Sequence, residues 1–461
     1  METAANVVIV GAGPCGLACA RELKELGSAD FLVVEARETA GGLASSSVDE
    51  RSFTWDRGGH VVFSHFGEFD RLLVEMLGDE LLWHDRSSYI QLGGRSIPYP
   101  FQNNLHHLAP GDAFACIVGL VAAQTAAGPR EVANLDEWMA ATFGEGIMDL
   151  FMRPYNEKVW AIPLHAMSAD WIAERVSVVD WQRALQALIR RQDDRAWGPN
   201  TRFGFPRFGG TGEIFRRLAA RVGEDKIRFG ESVVSVDIVR RAITLASGEV
   251  LHYDWLVWTG PLDQMVRSCD DAPAAVRSAV KRLKHTSVTV VGLGYEAPVS
   301  DERSWLYFPE PSIPFYRLTN FAKYSPANVP GGQTDRYCSY MAEVSRPSTA
   351  RPPDYASLVS QVDAWIRRLG LVPAQASVAS THVDDIPYAY PIPMTGRDEA
   401  LALIHPWLER QGVLSRGRFG SWRYEQGNMD HAVKMGIDAA RRICAADRQQ
   451  LRSSRTTVRF E

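Results

Sequence analysis

The chain has 461 residues, 46% of them hydrophobic and 23% charged, which is too long for one simple core and calls for two or three domains. A net charge of −5 gives no electrostatic footing for nucleic acid or an anionic membrane, so neither is an expected partner. The most apolar stretch, Phe114 to Ala127, falls short of the roughly 20 residues needed to span a bilayer and carries Gln124, so a buried helix is expected there. A strand begins almost at the first residue, leaving no room for a signal peptide. Cys15, Cys19, Cys116, Cys269, Cys338 and Cys444 form no CxxC and no metal-ligand spacing with the histidines. A reduced, cytoplasmic compartment is expected, and no metal.

The first forty residues organise the rest. The apolar run Asn6-Val-Val-Ile-Val10 meets Gly11-Ala-Gly13-Pro-Cys-Gly16, a helix follows from Leu17 to Leu26, and Phe31-Leu-Val-Val-Glu35 is a second strand ending in an acid. This is a βαβ unit carrying the dinucleotide fingerprint in its proper context. Gly11 allows the tight turn, Gly13 lets backbone approach a pyrophosphate, and Gly16 lets helix and strand pack closely. The helix N-terminus offers unpaired N–H groups to phosphate. Glu35 sits where a carboxylate would take two ribose hydroxyls.

Further along, Val61-Val-Phe63 reads as a short strand and Glu68 to Leu77 as an amphipathic helix. Tyr89 to Leu92 and Arg95 to Pro98 form a hairpin across Gly93-Gly94. A helical region with no convincing strand then runs to about Gln192, with Asn134 capping the helix that begins at Leu135. After the Gly209-Gly-Thr-Gly212 turn and a helix to about Arg221, short strands lead to Leu256-Val-Trp-Thr-Gly260, which returns the chain to the nucleotide-binding sheet. Ser287 to Tyr295, Trp305 to Phe308, Phe315 to Leu318, Tyr337 to Val344 and Ser377 to Val383 read as strands of a second, antiparallel sheet. Tyr355 to Leu369 is a helix, another runs from about Asp430 to Ala445, and a polar, basic tail closes the chain.

Arg37 and Gly41-Gly42, directly after the acid, resemble the segment that lies along FAD in two-dinucleotide-binding flavoproteins. More specific clusters follow in order: Gly58-Gly-His-Val-Val-Phe-Ser-His65, Tyr99-Pro-Phe-Gln-Asn-Asn104, Phe151-Met-Arg-Pro-Tyr-Asn-Glu-Lys-Val-Trp160, Trp171-Ile-Ala-Glu-Arg175 and Gly198-Pro-Asn-Thr201. Phe205-Pro-Arg-Phe-Gly-Gly-Thr-Gly212, Trp305-Leu-Tyr-Phe-Pro-Glu310, Phe315-Tyr-Arg317 with Tyr324, Tyr390-Pro-Ile-Pro393 and Trp422-Arg-Tyr-Glu-Gln-Gly-Asn-Met-Asp-His431 complete the set. Together they resemble the UDP-galactopyranose mutase family, its eukaryotic branch above all, over nearly the whole chain.

The resemblance implies an α/β fold: a two-dinucleotide-binding-type, Rossmann-like FAD domain with an inserted helical domain and an antiparallel β-sheet domain. The implied division is 1–88, 205–262 and 390–450 for FAD, 104–204 for the helices, 89–103 with 263–389 for the substrate-side sheet, and 451–461 as a tail. It implies an isomerase that interconverts the pyranose and furanose forms of a nucleotide-linked hexose, UDP-galactose by default. The reaction is non-redox overall yet needs reduced FAD, whose N5 is the nucleophile at the anomeric carbon, primed by NAD(P)H or another reductant. A GDP-linked sugar of antibiotic biosynthesis stays open, as does the oligomeric state, a homo-oligomer included. A flavin amine oxidase or desaturase is the competing enzyme on this scaffold. A flavin-free binding protein like the Rab GDP-dissociation inhibitors is the competing non-enzyme.

By the same resemblance Arg175 and Arg317 hold the leaving diphosphate, a task suited to the guanidinium fork. Tyr324, Tyr390 and Tyr424 assist them, and Tyr99, Phe101, Gln102, Phe151, Tyr155, Asn156, Trp160 and Tyr307 hold the rest of the nucleotide. Asn200 and Asn428 hold sugar hydroxyls or flavin, and His60 sits beside the flavin. Pro14, Cys15, Ala36, Leu43, Gly58, Gly59, Val234, Arg418, Gly420, Gly427 and Met429 join Gly11, Gly13, Gly16, Glu35, Arg37, Gly41, Gly42 and Asn428 around FAD.

Overall fold

In the computed structural model, which describes residues 2–126, 131–172, 176–194 and 201–457, the N-terminal apolar run is the strand Glu2–Val10. It lies inside a seven-stranded sheet, parallel to Phe31–Val34 on one side and to Val250–Trp258 on the other. The second of these is the strand expected to return the chain to the nucleotide sheet, and Val10 stands opposite Trp258. Ala242–Leu245 pairs with its first half and Val413–Ser415 with its second.

Strand alternation divides this sheet between two cores. Val7, Ile9 and Val33 meet Leu17, Leu23, Phe215, Leu218, Val433 and Ile437 from the helices Pro14–Glu25, Gly212–Val222 and Met429–Thr457. Val8, Val34 and Leu256 point the other way, against Leu262, Met265, Val276 and Ile404. The helices Leu262–Arg267 and Ala274–Val280 therefore pack on the first sheet, not on the substrate-side sheet to which 263–389 was expected to belong.

The second sheet runs in the order Ser377–Ile392, Lys284–Glu296, Cys338–Pro347, Arg317–Asn320, Trp305–Tyr307, Ser88–Leu92, Arg95–Pro98. Its neighbours are antiparallel except at one join, where Trp305–Tyr307 runs parallel to Ser88–Leu92. The hairpin closes on Gly93 and Gly94, both at positive φ (56° and 73°), as a two-residue turn of the twist-matching kind requires. One face is capped by the helix Tyr355–Arg368, where Leu358, Val362 and Ile366 cover Leu293, Leu306, Leu318 and Tyr340. The other face carries a cross-strand row, Tyr307 opposite Arg317 and Arg317 opposite Glu343.

Helices Pro110–Thr125, Leu135–Ile147, Arg153–Trp160 and Trp181–Arg190 fill the insertion, and Asn134 caps the second by accepting the Glu137 N–H at 3.0 Å. Four local readings change. Helix Pro110–Thr125 is only one-sided: Cys116 and Leu120 are buried, whereas Phe114 is 68% exposed. Val61-Val-Phe63 makes only a bridge from Val62 to Gly204. Strand Arg202–Pro206 pairs with Leu81–Asp85 and so crosses the expected boundary at 204. The last helix continues to Thr457 instead of giving way to a tail after Ala445. No described helix is long and apolar enough to cross a membrane.

Candidate active site

The C-terminal ends of the three parallel strands, Val10, Val34 and Trp258, open onto a cavity of about 880 Å³. Its far wall is the row Tyr307–Arg317 of the second sheet together with the helix Arg153–Trp160. Ligands of open α/β sheets bind at such strand ends.

The turn after Val10 is built for close approach. Gly11 has φ 103°, and a Cβ on it would stand 2.3 Å from Thr259 Oγ1. A Cβ on Gly16 would stand 1.9 Å from the Gly11 carbonyl oxygen, so the helix can sit this close to the turn only with glycine there. Glu35 is fixed by two backbone donors: Ala12 N–H donates to Oε2 at 2.7 Å and Arg37 N–H to Oε1 at 3.0 Å. Each carboxylate oxygen keeps a lone pair for a further donor.

Gly11, Gly13, Pro14, Cys15, Glu35, Ala36, Arg37, Gly42, Leu43, Gly59, His60, Arg418, Gly427, Asn428 and Met429 all line this cavity. Gly16, Gly41, Gly58 and Gly420 do not; they stand behind the wall, where Gly41 N–H donates to Ala12 O at 2.8 Å. Val234 is 56% exposed and turned away, and Val233 is the residue on the wall. Adjacent strand residues face opposite ways, so only one of the two side chains can meet the cavity.

On the substrate side Tyr99, Gln102, Phe151, Tyr155, Asn156, Trp160, Tyr307, Arg317, Tyr390 and Tyr424 line the same cavity. A π-helical turn, Met148–Met152, leads into the helix Arg153–Trp160. Phe151, Tyr155 and Trp160 all reach the cavity from this segment, Tyr155 stacked on Phe151 at 5.1 Å and Trp160 edge-on to Tyr424 at 4.8 Å. Two expected members are not on the wall. Phe101 is fully buried, stacked behind Phe151 at 4.9 Å. Tyr324 is also fully buried among Phe203, Phe205 and Trp305, and its hydroxyl has no hydrogen-bond partner among the described residues. Arg175 and Asn200 lie outside the described residues.

Arg317, set in an aromatic strand where an unpaired charge would be costly, is ion-paired to Glu343. Its Nε donates to Glu343 Oε1 at 2.8 Å and its Nη2 to Oε2 at 2.7 Å, while Tyr316 Oη donates to Oε2 at 2.5 Å and Gly59 N–H to Oε1 at 3.0 Å. Burial alone would raise the Glu343 carboxyl, but Arg317, Tyr316 and Gly59 hold it below the ordinary range. The pull of Glu343 outweighs burial at Arg317 too and keeps its guanidinium charged. Burial, reinforced by the Arg418 charge and opposed by Glu343, lowers the His60 imidazole to about 4, and its Nδ1 has no partner among the described residues. Burial also pushes the Tyr99 and Tyr390 phenols up to about 12, so both are neutral donors at neutral pH.

Glu343, Tyr316 and Arg86 escaped the sequence reading. Arg86 also lines the cavity, donating to the Tyr307 hydroxyl at 3.2 Å and lying over the Tyr99 ring. A lone acid inside the apolar run Ser339-Tyr-Met-Ala-Glu343 was the available signal for Glu343.

A family model described as flavin containing amine oxidoreductase matches residues 14–444. A crystal structure of reduced UDP-galactopyranose mutase superposes with a TM-score of 0.91 at 36% identity, over 96% of this chain and 96% of that one. The chain belongs to the UDP-galactopyranose mutase family of flavin-containing amine oxidoreductases. More remote members share only the fold with this mutase-family chain. A putative protoporphyrinogen oxidase from Exiguobacterium sp. 255-15 has a TM-score of 0.72 at 16% identity, over 96% and 98% of the two chains. Cyclohexylamine oxidase from Brevibacterium oxydans IH-35A has 0.64 at 19%, over 96% and 99%. Human lysine-specific histone demethylase 2 is 35% identical over 91 residues, which are 20% of this chain and 11% of that curated relative's length.

The cofactor of this mutase-family chain is FAD. The residues present fit it: a glycine turn with no room for a Cβ, the Glu35 carboxylate fixed at the end of the second strand where it would take ribose hydroxyls, and an imidazole nitrogen at the wall with no partner among the described residues.

Proposed function

We propose that this protein interconverts the pyranose and furanose forms of a nucleotide-linked hexose, with UDP-galactose as the default substrate, and that it works in the cytoplasm. The observation that carries the reading is one continuous cavity in which a dinucleotide cradle faces an arginine among phenols. An amine oxidase would need an apolar or aromatic-walled cage for its substrate. Among the described wall residues Arg37, Arg86, Arg202, Arg317 and Arg418 outnumber the carboxylates Glu35 and Glu231, which suits a diphosphate.

Reduced FAD, when bound, supplies the nucleophile for the anomeric carbon, and NAD(P)H or another reductant primes it. The protein's part is to hold, orient and desolvate. Arg317 holds the departing diphosphate in place for its return, and the hydroxyls of Tyr390 and Tyr424 donate to its oxygens. Phe151, Tyr155 and Trp160, with Tyr99 and Tyr307, exclude water and seat the base and ribose, while Gln102 and Asn156 offer amides at their edge. His60 stays uncharged beside the flavin and adds no competing cation. Arg175 and Asn200 belong to the proposal as a second diphosphate clamp and a sugar-hydroxyl contact. Tyr324 acts from behind the wall, as support for Trp305 and Phe203.

The test is a panel of UDP- and GDP-hexoses incubated anaerobically with the flavin-loaded enzyme. Oxidised enzyme should be inert. After dithionite, many sugars should isomerise for each equivalent of reductant consumed. One reductant per product, or oxygen uptake in step with product, would mean a net oxidoreductase and end the mutase reading.

A further inference from the structure

We infer that Glu343 is a positioning residue that couples Arg317 to the Gly58–His60 turn, so that filling the diphosphate half of the cavity is felt at the flavin half. The inference rests on the diphosphate reading proposed above. Glu343 is 2% exposed and accepts from four donors, two on Arg317, one on Tyr316 and one on the backbone of Gly59. An ion pair that merely neutralised a buried arginine would need only the cross-strand neighbour, which register already supplies. The Gly59 contact is different in kind. It reaches 284 positions back along the chain to the loop that carries His60, and both Gly59 and His60 line the cavity. The network also continues outward, because Tyr316 Oη lies 3.0 Å from Tyr390 Oη on the substrate wall.

The physics of the coupling is competition for one cation. Nε and Nη2 of Arg317 are committed to Glu343, and Nη1 has no partner among the described residues. A bound diphosphate draws the guanidinium charge toward itself, which loosens its hold on Glu343. The carboxylate then leans harder on its remaining donors, Gly59 N–H and Tyr316 Oη, and so shifts the turn beside the flavin.

The experiment uses Glu343→Gln in the FAD-loaded full chain, with UDP as the probe. Glutamine keeps the shape and still accepts from Gly59, but no longer competes as an anion for Arg317. UDP should bind the variant at least as tightly as wild type, about threefold tighter if the competition is relieved. The change that saturating UDP makes in the flavin absorbance spectrum should fall by more than half. Turnover should drop about tenfold or more with KM unchanged or lower, the pattern of lost alignment rather than lost binding. A purely structural role would lower flavin content and UDP affinity together and leave the saturating difference spectrum as in wild type; that result overturns the proposal. Should Glu343→Gln fail to load flavin, Tyr316→Phe carries the test, since it removes one donor to the same carboxylate and should weaken the difference spectrum in the same direction. If wild type itself binds no UDP, the diphosphate reading falls and the coupling with it. If wild type responds and both variants respond equally, only the role of Glu343 falls.

Discussion

In the proposed reaction Arg317 has two tasks at once, since a charge part-buried among aromatic rings must be neutralised in the resting protein and still be available to phosphate. Bidentate contact from Nε and Nη2 to Glu343 achieves the first while leaving Nη1 for the second. Lysine cannot divide itself that way. Arg317→Lys should therefore lose at least ~10²-fold in turnover, the scale of one transition-state electrostatic contact, with flavin content unchanged. Near-wild-type turnover in a flavin-loaded variant would remove Arg317 from the site. His60 gives a second test at this scale. Its folded-state pKa of about 4 lies below the ordinary value of 6.5, so the unfolded chain takes up the proton first as pH falls. The stability tied to neutral His60 is thus whole above about pH 6.5 and is lost as pH drops through about 4. Between those values the melting temperature of wild type should fall relative to that of His60→Gln. Parallel curves would show an imidazole that titrates normally in the fold.

At the scale of elements, what the sequence made legible was whatever a local period or turn encodes. The βαβ unit, the Gly93-Gly94 hairpin and the Asn134 cap needed only neighbours in the chain, and each formed where its pattern lay. Register needed the partner strand, which no local pattern carries. That is why Glu343, which register sets opposite Arg317, was missed, whereas Arg317 itself came from the family resemblance. Stacked rings fail for a related reason: Phe101 and Phe151 look alike in sequence, and only packing decides which of them meets the void. The join between the loop ending at His65 and the last helix was equally hidden. Asp430, fully buried, accepts from His65 N–H and Nδ1 through one oxygen and from His431 N–H and Nδ1 through the other. Against its burial, these bonds bring the carboxyl down to about 2. Asp430→Asn should lower stability by about 2 kcal/mol, as for a buried acceptor stripped of its charge, read from urea unfolding of the holoenzyme. Because the folded pKa is depressed, the part of that gap that depends on the Asp430 charge should be lost only below about 4, as protonation removes the wild-type advantage. An unchanged unfolding midpoint would mean the latch is not holding the loop.

For the whole molecule, the decisive fact is that the two sheets share one cavity. The strand ends of the first sheet supply the glycine turn, the second sheet supplies Tyr307 and Arg317, proposed here as the anion pocket, and the helix Arg153–Trp160 closes the side. Among the described residues no protein wall separates Gly13 and Leu43 from Arg317 and Tyr390, since all four line the same space. Bound FAD must then form part of the nucleotide's own surroundings, and its loss would leave the anion pocket open on one side to water, where each phosphate contact is weaker. The two ligands should therefore be linked thermodynamically. At about 100 times its Kd, UDP stabilises a single-site holoenzyme by about 2.7 kcal/mol. Protein stripped of FAD should gain about half of that or less at the same UDP concentration, and its UDP affinity by calorimetry should be at least ~10-fold weaker, a difference of about 1.4 kcal/mol. Reciprocity requires the converse: UDP should slow the loss of FAD from the holoenzyme in a gel-filtration or dilution assay. Equal UDP affinity with and without flavin would mean two independent pockets, and the single-cavity account of the molecule would have to be abandoned.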